Sequence, residues 1–181
     1  MNHKSYRIAL GGVTAALALV IMFLTGLGPF LTYVCPMFAG VLMVMIMDQT
    51  GEKWAYVTYA SIGLLSLFIT PDKEAAMLFI FLFGYYPIAK MRLDKIKLVI
   101  PRILLKLVVF NISVIVCYWL IMNVFGMGDV LDSLGDFGKY GQWIFLGISN
   151  LVFLMYDFFL TQATTVYTKW FRPGFIDKLK K

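Results

Sequence analysis

An ionisable side chain inside an apolar run is the feature of this sequence best placed to do chemistry. Asp157 sits between Met155-Tyr156 and Phe158-Phe159. A carboxylate near the centre of a membrane helix costs about 3 kcal/mol on insertion scales. It must therefore be paired, hydrated or protonated. Three roles stand open. It could tie two helices together through Lys106 or Asn111. It could carry a proton or cation. It could position a moving helix or a partner.

Two amides, Asn111 and Asn150, also lie within apolar runs. With Tyr118 and Trp143 they could line a cavity of aromatic walls and a few oriented polar groups, as ligand pockets do. These four residues are the candidate substrate-binding set. The competing reading gives the amides a structural role, as interhelical hydrogen bonds worth roughly 0.6 kcal/mol each. A third feature is the run of small residues near the N-terminus. Gly11 and Ala15 are four apart, as are Gly12 and Ala16. Such a face lets another helix backbone approach closely, from the same bundle or from a partner.

Other chemistries lack their parts. The only histidine is His3, near the terminus. No H-E-x-x-H, no Ser/His/Asp set and no G-x-x-x-x-G-K-[ST] loop is present. No second carboxylate accompanies Asp157 within a span. We therefore expect a non-enzyme with no cofactor and no metal site. Cys35 and Cys117 lie in apolar surroundings outside any C-x-x-C pair, and are expected to be buried apolar side chains.

These residues must be positioned by membrane helices. The chain has 181 residues, of which 61% are hydrophobic and 14% charged. Soluble domains are nearer half apolar and a quarter charged. The apolar runs predict one all-α domain of six transmembrane helices over residues 1–181. The spans are about 8–27, 33–47, 54–69, 75–89, 103–124 and 142–167. The first is too long for a signal-peptide core and no small-residue cleavage site follows it, so it is expected to be retained. At the fourth span, Thr70 is expected to be the N-cap and Pro71 the first helical residue. Asp72 and Glu74 then favour the positive end of the helix dipole.

The net charge of +6 does not form the continuous face that nucleic acid needs. Of 16 lysines and arginines, only Lys73 and Lys139 fall on one side of the six spans. The positive-inside rule therefore predicts both termini in the cytoplasm of a multi-pass plasma-membrane protein. The opposite face carries the longest loop, Phe125 to Gly141, with five glycines and Asp129, Asp132 and Asp136. All four tryptophans fall near span ends, where interfacial tryptophans belong.

The layout, together with the stretch Arg7-Ile-Ala-Leu-Gly-Gly-Val-Thr-Ala-Ala-Leu-Ala, resembles the substrate-binding S components of energy-coupling factor transporters. In that family an alanine-x-x-x-alanine face of helix one docks on a transmembrane coupling subunit. The match here is Gly12-x-x-x-Ala16 or Gly11-x-x-x-Ala15, with glycine replacing the first alanine. The resemblance implies a vitamin-type micronutrient bound in the outer half, under loops 28–36, 70–74 and 125–141. It also implies a separate coupling subunit driven by ATPases. The stretches Pro71–Ala75 and Phe83–Pro87 are also similar to small membrane proteins of Gram-positive bacteria, which implies no function. Two alternatives stand beside this reading. One is a membrane scaffold or regulator of an envelope complex. The other is a small ion-coupled carrier using Asp157.

Overall fold

The computed structural model describes residues 3–124 and 141–169. The described chain is helical. Its elements are α1 (His3–Phe23), α2 (Leu31–Thr50), α3 (Glu52–Ile69), α4 (Lys73–Leu78), α5 (Tyr86–Leu93), α6 (Val99–Val124) and α7 (Gly141–Val166). A 3-10 turn, Leu24–Leu27, extends α1, and a π-helical turn, Phe79–Phe83, joins α4 towards α5.

Among the described residues, five stretches are long and apolar enough to cross a membrane: Lys4–Leu27, Leu31–Thr50, Lys73–Leu93, Val99–Ile121 and Trp143–Lys169. The sequence reading expects six. The stretch that falls short is α3, which opens on Glu52-Lys53 and carries Thr58, Ser61 and Ser66. It still packs beside α1 and α2.

The helices alternate in direction. Thr32 at the start of α2 bonds Asp72, and both Tyr33 and Tyr118 reach Glu74. These define one end of the bundle, the Asp72 end. At the other, the Asp94 end, Gln49 bonds Tyr167 and Glu52 pairs with Arg92. Gly51 makes the tight turn from α2 to α3. Its φ of 85° is natural only to glycine, and its N–H donates to the Met47 carbonyl.

Two apolar clusters share α2 and the α4–α5 stretch. One joins them to α1 and α3 through Met22, Met43, Ile62 and Phe79. The other joins them to α6 and α7 through Val114, Phe153, Tyr156 and Leu160. The central position of these stretches shows in their burial: more of Lys73–Leu93 and Leu31–Thr50 is buried than of the other three stretches. Outward faces are apolar, with Phe30 and Phe68 each 84% exposed. Such a surface suits lipid as its solvent.

Two local expectations are corrected. The cap of α4 is Asp72, whose side chain accepts from the Glu74 and Ala75 N–H groups. Thr70 instead closes α3, its N–H donating to the Ser66 carbonyl, and Pro71 lies outside either helix. The fourth span is also composite where one helix over 75–89 is expected. Pro87 has no N–H, so the Phe83 carbonyl loses its helical donor. The chain responds with the π turn, in which Gly84 N–H donates to the Phe79 carbonyl at 2.7 Å. The Tyr59 hydroxyl donates to the Ile80 carbonyl at 2.5 Å.

Candidate functional site

A cavity of about 310 Å³ opens between α2, the π turn, α6 and α7. Tyr33 and Met37 line it from α2, and Leu82 and Phe83 from the π turn. Phe110, Val114 and Tyr118 come from α6, and Phe145, Ser149 and Phe153 from α7. Its size is at the lower end of the ~300–1,000 Å³ range of small-molecule sites. The π turn exists because Pro87 breaks the helix, and it swings Leu82 and Phe83 onto the cavity wall. π turns inside helices often occur at functional sites.

Polar groups gather at the Asp72 end. The Tyr33 hydroxyl donates to Glu74 Oε1 at 3.1 Å, and the Tyr118 hydroxyl lies 3.5 Å from the same oxygen. Asp72 accepts from the Thr32 hydroxyl at 2.6 Å. Lys73 turns away, its ammonium donating to the Leu67 and Thr70 carbonyls. Neither Asp72 nor Glu74 has a cationic partner among the described residues.

The opposite wall is aromatic. Phe110 and Phe153 stack at 4.2 Å, and Tyr86 meets Phe153 edge-on at 4.8 Å. Beyond this layer lies a charge network. The Tyr86 hydroxyl donates to Asp157 Oδ1 at 2.6 Å. Lys90 bonds Asp157 at 2.8 Å and Asp94 at 2.9 Å. Lys106 bonds Asp157 at 2.9 Å and Asp94 at 2.7 Å. Two ammonium groups and two carboxylates thus close a neutral ring. Both lysines are buried, with side chains only 7% exposed. Removing such charges from water is tolerable only when every one is matched.

Asp94 lies in the link between α5 and α6. Burial pushes its pKa up, but the Lys106 and Lys90 ammonium groups outweigh this and hold the carboxyl below the usual carboxylate range. A group depressed in the folded state adds stability that is complete above its unfolded value. That stability is lost as pH falls through the folded value. Asp94→Asn should therefore flatten the acid limb of a melting-temperature-against-pH profile. An unchanged slope would mean that the ring does not hold the Asp94 charge.

Among the predicted substrate residues, only Tyr118 lines the cavity. Asn111 and Asn150 bond each other reciprocally, at 2.9 and 3.0 Å. Each also donates to the carbonyl four residues back, Leu107 and Leu146. Their amides are thus spent joining α6 to α7. Asn111→Leu or Asn150→Leu alone orphans a partly buried amide and should cost about 1–2 kcal/mol. The double leucine variant should be closer to wild type than either single one. Unfolding in detergent checks this, and additive losses would count against a coupled pair. Trp143 is 74% exposed and is not part of the cavity wall.

The small-residue run on α1 divides into two faces. A Cβ on Gly11 would meet the Thr58 hydroxyl at 3.0 Å, whereas one on Gly12 would have nothing within 4 Å. Ala15 packs in the core, and Ala16 is exposed. Gly11 and Ala15 therefore serve the bundle itself, and Gly12 and Ala16 look outward. Cys35 and Cys117 are free and buried.

No family model, no curated protein and no solved structure matches this chain.

Sequence reasoning passed over Tyr33, Tyr86, Lys90 and Asp94, and read Glu74 chiefly as a helix-end charge. The i,i+4 spacing of Lys90 and Asp94 was a usable signal. Nothing local marks Tyr33 or Tyr86 among ten tyrosines. The predicted closing loop over 125–141 lies outside the described residues except for Gly141, which opens α7.

Proposed function

We propose that the protein is a membrane-embedded capture subunit. In this reading it takes a small micronutrient-type molecule from outside the cell and passes it on through a separate coupling subunit powered by ATPases. The observation that carries this reading is the cavity between α2, the π turn, α6 and α7. It is sized for a small molecule and walled by aromatic rings, and at one end the hydroxyls of its lining residues Tyr33 and Tyr118 reach the Glu74 carboxylate.

The orientation follows from the basic residues. All but two of the 16 belong to the Asp94 end or the tails in a six-span arrangement, so the Asp94 end and both termini are cytoplasmic. The cavity then opens in the outer half, where an extracellular ligand would reach it. α3 crosses as the sixth span. Its apolarity is marginal, but it is shielded by α1 and α2.

The outward Gly12–Ala16 face supports docking on a partner. A smooth strip permits the close backbone approach by which membrane helices associate without a hydrophobic driving force. Gly12→Leu and Ala16→Leu should each leave the folded protein intact, because neither side chain is packed. Each should sharply reduce copurification of a coupling subunit and ATPases. Normal assembly of the double variant would remove the docking part of this reading. The ion-carrier alternative gains nothing from Asp157, whose carboxylate is held by two lysines and a tyrosine.

A further inference from the structure

Resting on the capture reading, we infer that the cavity selects a flat organic cation, with Glu74 as its counter-charge. The walls and the rim ask for different things, and one ligand class satisfies both. Phe83, Phe110, Phe145 and Phe153 offer ring faces and edges to a planar apolar body. At the Asp72 end, Glu74 is the charged group nearest the two tyrosines that line the cavity. One of its oxygens accepts from the Tyr33 and Tyr118 hydroxyls. The other accepts no hydrogen bond among the described residues.

Among the described residues, the charge there is negative and unmatched. Asp72 is committed to Thr32 and the α4 cap. Lys73, the near lysine, is committed to carbonyls at the end of α3. Among the described residues, no lysine or arginine lines the cavity. An anionic ligand would meet an unmatched carboxylate, and a neutral one would leave it unmatched. A cation completes it. The tyrosine rings add to the preference, because an aromatic face attracts a positive charge within about 6 Å of its centre. The charge network at the Asp94 end does not compete. It is already neutral, and the Phe110–Phe153 stack separates it from the cavity.

Three indole probes of matched shape test this: tryptamine, a cation at neutral pH; tryptophol, which is neutral; and indole-3-acetate, an anion. Binding is measured by ligand-observed NMR on the whole chain in phosphatidylcholine nanodiscs, with empty nanodiscs as the baseline. We expect tryptamine to bind at least tenfold more tightly than either other probe. Glu74→Gln should abolish that preference while leaving tryptophol unchanged, since a glutamine oxygen can still accept from both tyrosines. Tyr118→Phe keeps the carboxylate, and should retain the order of the three probes. Tryptophol matching tryptamine, with no effect of Glu74→Gln, would overturn the cationic class and leave the capture reading standing. Failure of all three to bind the wild type would overturn both.

Discussion

Asp157→Ala is expected to lower the stability of the protein in detergent by about 3–5 kcal/mol, the range for breaking a buried ion pair. The reason is what remains behind. Lys90 and Lys106 are buried and, among the described residues, keep Asp94 as their one carboxylate, itself partly exposed. Tyr86 also loses the acceptor 2.6 Å from its hydroxyl. The loss should be repaired by charge arithmetic more than by shape. Asp157→Asn alone leaves one excess positive charge in the ring. Asp157→Asn combined with Lys106→Met restores neutrality, and should recover most of the lost stability. Chemical unfolding of the three variants, read against wild type, settles the matter. A double variant weaker than Asp157→Asn would show that the ring is not governed by net charge.

The second large effect is steric. A Cβ at Gly40 would overlap the Phe83 carbonyl oxygen and come within 2.7 Å of the Tyr156 hydroxyl. Helix propensity by itself favours alanine over glycine by about 1 kcal/mol. A backbone oxygen cannot step aside as a side-chain end can, so overpacking wins. Gly40→Val should destabilise at or beyond the upper end of the usual ~1–3 kcal/mol for overpacked cores. It should also displace the π turn, and with it the wall formed by Leu82 and Phe83. Gly12→Val is the control, with open space around it and an expected change within ~0.5 kcal/mol. Comparable losses at the two glycines would contradict the packing described for α2 against the π turn.

These two sites show what was legible beforehand. The helices could be read because lipid demands long apolar runs, and the predicted limits agree with them to within about five residues except at the fourth; of the six expected spans, five among the described residues are long and apolar enough to cross a membrane. That helix could not be read as composite, because its break depends on how the Phe83 carbonyl is satisfied once Pro87 withdraws a donor. Asp157 announced itself through its apolar neighbours, and Lys106 is indeed bonded to it. Lys90 and Asp94 did not, because next to so many basic residues they read as part of a cytoplasmic loop. Asn111 and Asn150 were visible as misplaced amides. Whether such groups face a ligand or each other is a question of helix rotation, which periodicity resolves poorly in runs that are apolar on every side. For the same reason Gly11 and Gly12 could not be assigned to different faces until α3 was seen beside Gly11.

Native mass spectrometry of the protein purified from its own membranes decides whether the cavity holds a small molecule. A single bound species of defined mass is expected on the wild type. It should be lost from Ser149→Trp, in which an indole fills the space beside Phe145 and Phe153. A wild-type protein carrying no small molecule, or a Ser149→Trp protein carrying it to the same extent, would mean that the cavity is not a ligand site.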